Sequence, residues 1–159
     1  MGKDNKKEEK PKKNDFKAFL KKRAPIYLAL IAMFVIFIIP ELTKGDLQSS
    51  FPELTPEEKQ VVNILMNYNG PNASGLTVME AITNKISEEY PDEKIFDHKK
   101  TVVDLSVSKL NDNEYNIVLN FESYNGKMNF DWDVYESTGK ITSNNQDSKH
   151  IIDLVDYYD

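Results

Sequence analysis

Four side chains in the second half of the chain have the types and spacing for chemistry: Glu122, Asn129, Asp131 and Asp133. The last three fall at every second position of NFDWDVYESTGKI, between Phe130, Trp132 and Val134. Hard cations such as Ca²⁺ take several converging oxygens, and paired carboxylates can do acid/base chemistry when burial raises one pKa. Alternation of polar and apolar residues is also what one strand with a wet face and a greasy face produces. On such a strand, residues i and i+2 stand about 6.5–7 Å apart, so one ion would need a partner across the sheet, Glu122 or Asn120. The solvated face is the preferred reading, with the cation site as its alternative. No catalytic residue and no cofactor are expected. His98 and His150 have no nearby partner of catalytic type, and the chain shows no nucleophile elbow, phosphate loop or zinc signature.

The elements that would position these residues can be read from periodicity. Thr55-Pro56-Glu57-Glu58 has a capping residue, a proline at the first helical position and the acid of a capping box. Val61, Val62, Leu65, Met66 and Tyr68 follow as an apolar stripe until Gly70-Pro71. Thr77-Val78-Met79-Glu80 repeats the box, with Met79, Ile82, Ile86 and Tyr90 at helical spacing before Pro91. From about 101 the period becomes two. Val103, Leu105 and Val107, then Tyr115, Ile117, Leu119 and Phe121, then Met128, Phe130, Trp132 and Val134 mark three strands. Turns are predicted at Asn111-Asp112-Asn113 and at Asn125-Gly126, and Lys140-Ile141-Thr142 suggests a fourth strand. Ile151, Leu154, Val155 and Tyr158 predict a closing helix, with an edge strand as the alternative. The expected fold is α+β: an N-terminal transmembrane helix, then two helices packed on a 3–4-stranded antiparallel sheet, and a C-terminal helix.

Charge is distributed unevenly along the 159 residues. Residues 1–23 carry ten Lys/Arg and four Asp/Glu, a net +6, and residues 24–40 carry none. Residues 41–159 hold ten Lys/Arg and twenty-two Asp/Glu, a net −12. The uncharged run APIYLALIAMFVIFIIP covers about 26 Å as a helix, near the short end of a bilayer core. Pro25 and Pro40 stand where a helix could start and stop, and no small-residue cleavage site follows. The expectation is an uncleaved signal anchor at 24–42, in contact with membrane lipid. Lys21, Lys22 and Arg23 on one flank put the N-terminus in the cytoplasm and the remainder outside the cell membrane. The other divisions expected are a disordered basic tail at 1–23, a linker at 43–54 and an extracytoplasmic domain at 55–159. Without cysteine there are no disulfides, thiolates or Cys-based zinc sites. Asn72-Ala73-Ser74 is a glycosylation sequon, making Asn72 a candidate acceptor. The acidic domain speaks against nucleic-acid binding, which rests on basic residues.

Glu80-Ala81-Ile82, Tyr90-Pro91, Val134, Thr138-Gly139 and Ile141 together resemble the PepSY domain over residues 76–142. Tyr135 stands where that family has an Asp. The resemblance implies a small extracytoplasmic module, often membrane anchored, that regulates or inhibits peptidases or assists other proteins, without catalysis of its own. The function expected is therefore a single-pass, membrane-anchored binding or regulatory protein with a protein partner. An accessory structural subunit of a larger membrane complex is the alternative. Its anchor would pack on others with only Ala24, Ala29 and Ala32 as small residues.

Overall fold

The computed structural model describes residues 15–42, 45–91 and 94–159, with side chains in the first helix described for Lys21 and for residues 23–38. Residues 1–14 of the tail expected at 1–23 lie outside the described residues. Two units are present, residues 1–43 and 44–159.

The first unit is helix α1, Asp15–Leu42, 28 residues long. It begins nine residues before the expected start at Ala24, within the stretch expected to be a tail. Lys17, Ala18, Leu20, Lys21, Lys22 and Arg23 are good helix formers and carry the helix through this stretch. Pro25 and Pro40 are inside the helix, where each removes one backbone donor, rather than at its ends. From Pro25 to Ile38 every described side chain is exposed, with Leu28, Ile36 and Phe37 more than 60% so. Among the described residues no helix is long and apolar enough to cross a membrane.

The second unit is α+β. Helices α2 (Pro56–Met66) and α3 (Val78–Glu89) precede strands β1 (Val102–Asn111), β2 (Glu114–Ser123), β3 (Gly126–Tyr135) and β4 (Lys140–Ser143), and α4 (Gln146–Tyr157) closes the chain. The sheet is an antiparallel meander in the order β1-β2-β3-β4. Both predicted capping boxes form: the Thr55 and Thr77 hydroxyls accept from the N–H of Glu58 and Glu80, whose carboxylates accept from Thr55 and Thr77 N–H in return. Asn145 and Ser148 make a third box at α4, so the closing element is a helix.

Val61, Val62 and Leu65 of α2, Ala81, Ile82 and Ile86 of α3, and Ile151 and Val155 of α4 share one core with the apolar face of the sheet. Trp132, Phe121 and Phe130 are its largest fully buried side chains, and Trp132 stacks on Phe130 with ring centroids 5.7 Å apart. The Trp132 indole donates to the Ser148 carbonyl at 3.3 Å, which ties β3 to the first turn of α4. Tyr158, expected on the inner stripe of α4, is 62% exposed, and Ile152 packs against the core in its place.

The folded unit also starts earlier than the linker expected at 43–54 allows. Leu47 is 1% exposed, Phe51 and Leu54 pack on the core, and Gly45 N–H donates to the Asp97 carboxylate at 3.2 Å. Gly45, two serines and Pro52 resemble a linker in composition, but Leu47, Phe51 and Leu54 decide where the segment goes.

Candidate functional site

The face of the sheet away from the helices is built from alternate residues of the same strands. The register sets Asn120 opposite Asn129, Val118 opposite Asp131, and Asn116 opposite Asp133, with Asp104, Ser106 and Ser108 of β1 continuing these rows. Thr142 of β4 lies beyond Asp133. The strand phase read from the sequence therefore holds: Phe130, Trp132 and Val134 are inside, and Asn129, Asp131 and Asp133 are on the polar side.

Asn116 organises this face. Its side-chain amide donates to Asp131 Oδ1 at 2.6 Å and to Asp133 Oδ1 at 2.9 Å. Asn144 donates to Asp131 Oδ1 as well, at 3.0 Å. Asn129 donates to Asn120 at 2.6 Å and accepts from Asn145 at 2.8 Å, so the end of β3 is tied to the cap of α4. Both aspartates are half-buried by these neighbours. Glu122 is directed elsewhere: it faces Lys127 across the hairpin and pairs with it at 2.7 Å. The four candidate cation ligands are thus strung along four successive rows of the strand pair, with Glu122 taken by Lys127. Among the described residues no three His, Asp or Glu side chains gather as a metal site would require.

A second polar cluster joins α2 to the apolar side of β1 and β2. Glu57 Oε1 accepts from Lys109 Nζ at 2.7 Å and from the Tyr115 hydroxyl. The Lys109 hydrogen bond, then that from Tyr115, holds the Glu57 carboxyl below its usual range. Glu57 in return raises Lys109 and Tyr115 above theirs, first through the same hydrogen bonds. A carboxylate locked in its charged form beside a cation and a phenol held neutral is a fastening, with no group poised to exchange a proton near neutrality. The cluster could have been suspected only from tertiary structure, since 52 residues separate Glu57 from Lys109.

Asn72 is exposed, in the α2–α3 loop. Asp159 Oδ2 accepts from the Asn72 N–H at 2.5 Å and Oδ1 from the Ser74 N–H at 2.9 Å, drawing the sequon around one carboxylate. These bonds, that from the Ser74 N–H first, hold the Asp159 carboxyl below its usual range. Ala73, between them, has a φ of 56°. The loop approaches the C-terminal segment so closely that a Cβ on Gly75 would stand 2.6 Å from the Tyr158 carbonyl oxygen.

His98 packs its ring edge to face on Tyr124 at 5.1 Å, and its Nδ1 accepts from the Lys100 N–H. His150 is on the rim of a groove of about 540 Å³ between α3 and α4, floored by Leu76, Ala81 and Leu154. Glu80, on the same rim, already spends its carboxylate on the Thr77 cap.

Most residues of the PepSY resemblance have structural work. Glu80 caps α3, Ala81 and Ile82 are buried, and the buried Tyr90 donates its hydroxyl to the Gly126 carbonyl at 3.1 Å. Val134 faces Ile141 across the β3–β4 hairpin, whose loop turns at Gly139 with a φ of 66°. Tyr135 faces Glu114 on one side and Lys140 on the other. Its hydrogen bond with Glu114 raises its hydroxyl pKa, and Lys140 Nζ lies 5.5 Å from its ring centre.

Fold and site together describe an α+β unit whose antiparallel sheet is covered by helices on one face and bears an amide and carboxylate network on the other. Compared with protein-family models, curated proteins and solved structures, the chain matches none.

Proposed function

We propose that the chain is a single-pass membrane protein whose acidic α+β unit is an extracytoplasmic, non-catalytic binding or regulatory module of PepSY-like type. The observation that carries the membrane reading is α1. It is apolar on every side over its uncharged run, and a helix of that kind needs either a large protein core or a bilayer around it. The folded unit already fills its own core with side chains from α2, α3 and α4. Lys21, Lys22 and Arg23 favour a cytoplasmic N-terminus. The 24–40 run, about 26 Å as a helix, is near the short end of a bilayer core, and α1 extends past it at both ends.

The binding reading rests on the sheet. Its polar face is broad, carries Asp104, Asp131 and Asp133, and holds Asp131 and Asp133 in place through Asn116 and Asn144. A preorganised acidic surface suits a protein partner with a basic patch, since opposite charge speeds encounter and orients docking. The PepSY reading draws support from the placement of its motif residues at a cap, in the core and at a turn.

Because the chain has no cysteine, one introduced at Asn84 can be labelled alone. A membrane-impermeant maleimide should label N84C in intact cells, and the chain should resist alkaline extraction. Labelling only after lysis, or release by alkali, would overturn the topology. A photo-crosslinking residue at Thr142 on the polar face should capture one specific protein in intact cells. Capture of nothing from that face would remove the binding reading while leaving the anchor intact.

A further inference from the structure

The sheet has two edges of very different length. β4 is four residues long, whereas β1 is ten and closes the other side. Among the described residues, the only backbone ladder on β1 is the one with β2, so its outer N–H and C=O groups are unpaired. Edge strands are normally guarded by charge, proline or irregularity. β1 has no proline, and its one lysine, Lys109, is drawn to Glu57. Its irregularity is a bulge between Lys109 and Asn111, which leaves Val102 to Lys109 as a regular stretch. Leu105 and Ser106 are the middle of that stretch, and of the two Ser106 is exposed.

We propose that β1 pairs antiparallel with β1 of a second copy of this chain, Ser106 opposite Ser106 on a two-fold axis, giving a continuous eight-stranded sheet. A strand paired with itself must oppose residues that share a face, so the axis has to pass through one residue level rather than between two. An axis at Ser106 keeps Val103 to Lys109 paired within that stretch and brings Val102 opposite Leu110, the residue at the bulge. Asp104 then faces Ser108 of the other protomer, and Val103 faces Lys109, so no like charges are opposed. Val107, half-buried in one copy, faces Leu105. At the two ends Val102, 58% exposed, comes opposite Leu110, 54% exposed. Few large apolar side chains of the folded unit are so exposed, and this register sets these two against each other. A two-fold interface has to be self-complementary in this way, and the pairing would carry the acidic face across both copies.

The test uses the full-length chain in detergent micelles or bilayers, with single cysteines in a background that has none. Directly opposed residues have Cα atoms about 4.5–5.5 Å apart, within reach of a disulfide. Under mild oxidation S106C should therefore crosslink into a dimer. In this register S108C lies four residues, about 13 Å, from its own copy and should not crosslink, and nor should N84C on α3. V102K should reduce the S106C crosslink several-fold, and V102K with L110E should restore it by opposing unlike charges. A yield for S106C no higher than for S108C or N84C overturns the pairing. So does a crosslink that V102K leaves unchanged, since that would place the contact elsewhere than along β1.

Discussion

On one face of β3, Phe130, Trp132 and Val134 are completely buried; on the other, Asn129 is exposed and Asp131 and Asp133 are half-buried. Six neighbouring residues of a single strand thus belong to two systems held together differently. The inner three are fixed by contact with side chains from three helices, so each is supported by many small attractions at once. The outer aspartates are fixed chiefly by two amides, those of Asn116 and Asn144. An inner position is consequently costly to empty and unable to move. An outer one is less costly to change and stays accessible to a partner.

The largest expected effect comes from breaking the inner face. Trp132→Ala removes a ring stacked on Phe130, and with it the indole hydrogen bond to Ser148. Truncating a buried aromatic costs about 3–5 kcal/mol. That is a large part of the 5–15 kcal/mol by which domains are usually stable. Denaturant unfolding followed by circular dichroism should show the loss. A cost below about 1 kcal/mol would mean that the two faces are not distinguished as described.

Asn116→Ala probes the outer face and should cost about 1 kcal/mol. Hydrogen bonds to charged groups contribute about 1.5–3 kcal/mol when buried, and half-exposure reduces this. Trp132 is the chain's one tryptophan, so its fluorescence reports unfolding of this variant directly. Asn116→Asp should cost more than Asn116→Ala at low salt, because it adds a third carboxylate beside Asp131 and Asp133, and the excess should shrink as salt screens it. Equal costs at all salt concentrations would show that the aspartates do not depend on Asn116.

Asn116 also marks where the sequence stopped being readable. The inner face was legible because period-two alternation and two capping boxes are local signals, and Phe130, Trp132 and Val134 obey them. The partners of the outer face depend on hairpin register, which one turn decides. Centring the turn on Asn125-Gly126 would set Asn120 opposite Asp131 and Glu122 opposite Asn129. In the structure the two loop residues are Tyr124 and Asn125, and Gly126, with a φ of 145°, opens β3. That moves each partner two residues along, bringing Asn116 to Asp133 and sending Glu122 to Lys127. Segment 45–54, within the linker expected at 43–54, is hidden from the sequence for a similar reason. What holds it, from Gly45 on Asp97 to Leu47 in the core, comes from residues distant in sequence.

The smallest expected effect follows from that register. Ca²⁺ needs several oxygens at 2.3–2.6 Å, and Glu122 is committed to Lys127 at the far end of the strand pair. Asp131 Oδ1 and Asp133 Oδ1 both accept from the Asn116 amide, so a donor occupies the space between them where an ion would sit. Millimolar calcium should therefore leave the melting temperature of the wild-type chain unchanged. It should raise that of Asn116→Asp, where a third carboxylate replaces the blocking donor and all three can turn to one cation. A rise in the wild type as large as in the variant would mean that Asn116 yields to the ion, and would return the outer face of β3 from a docking surface to a metal site.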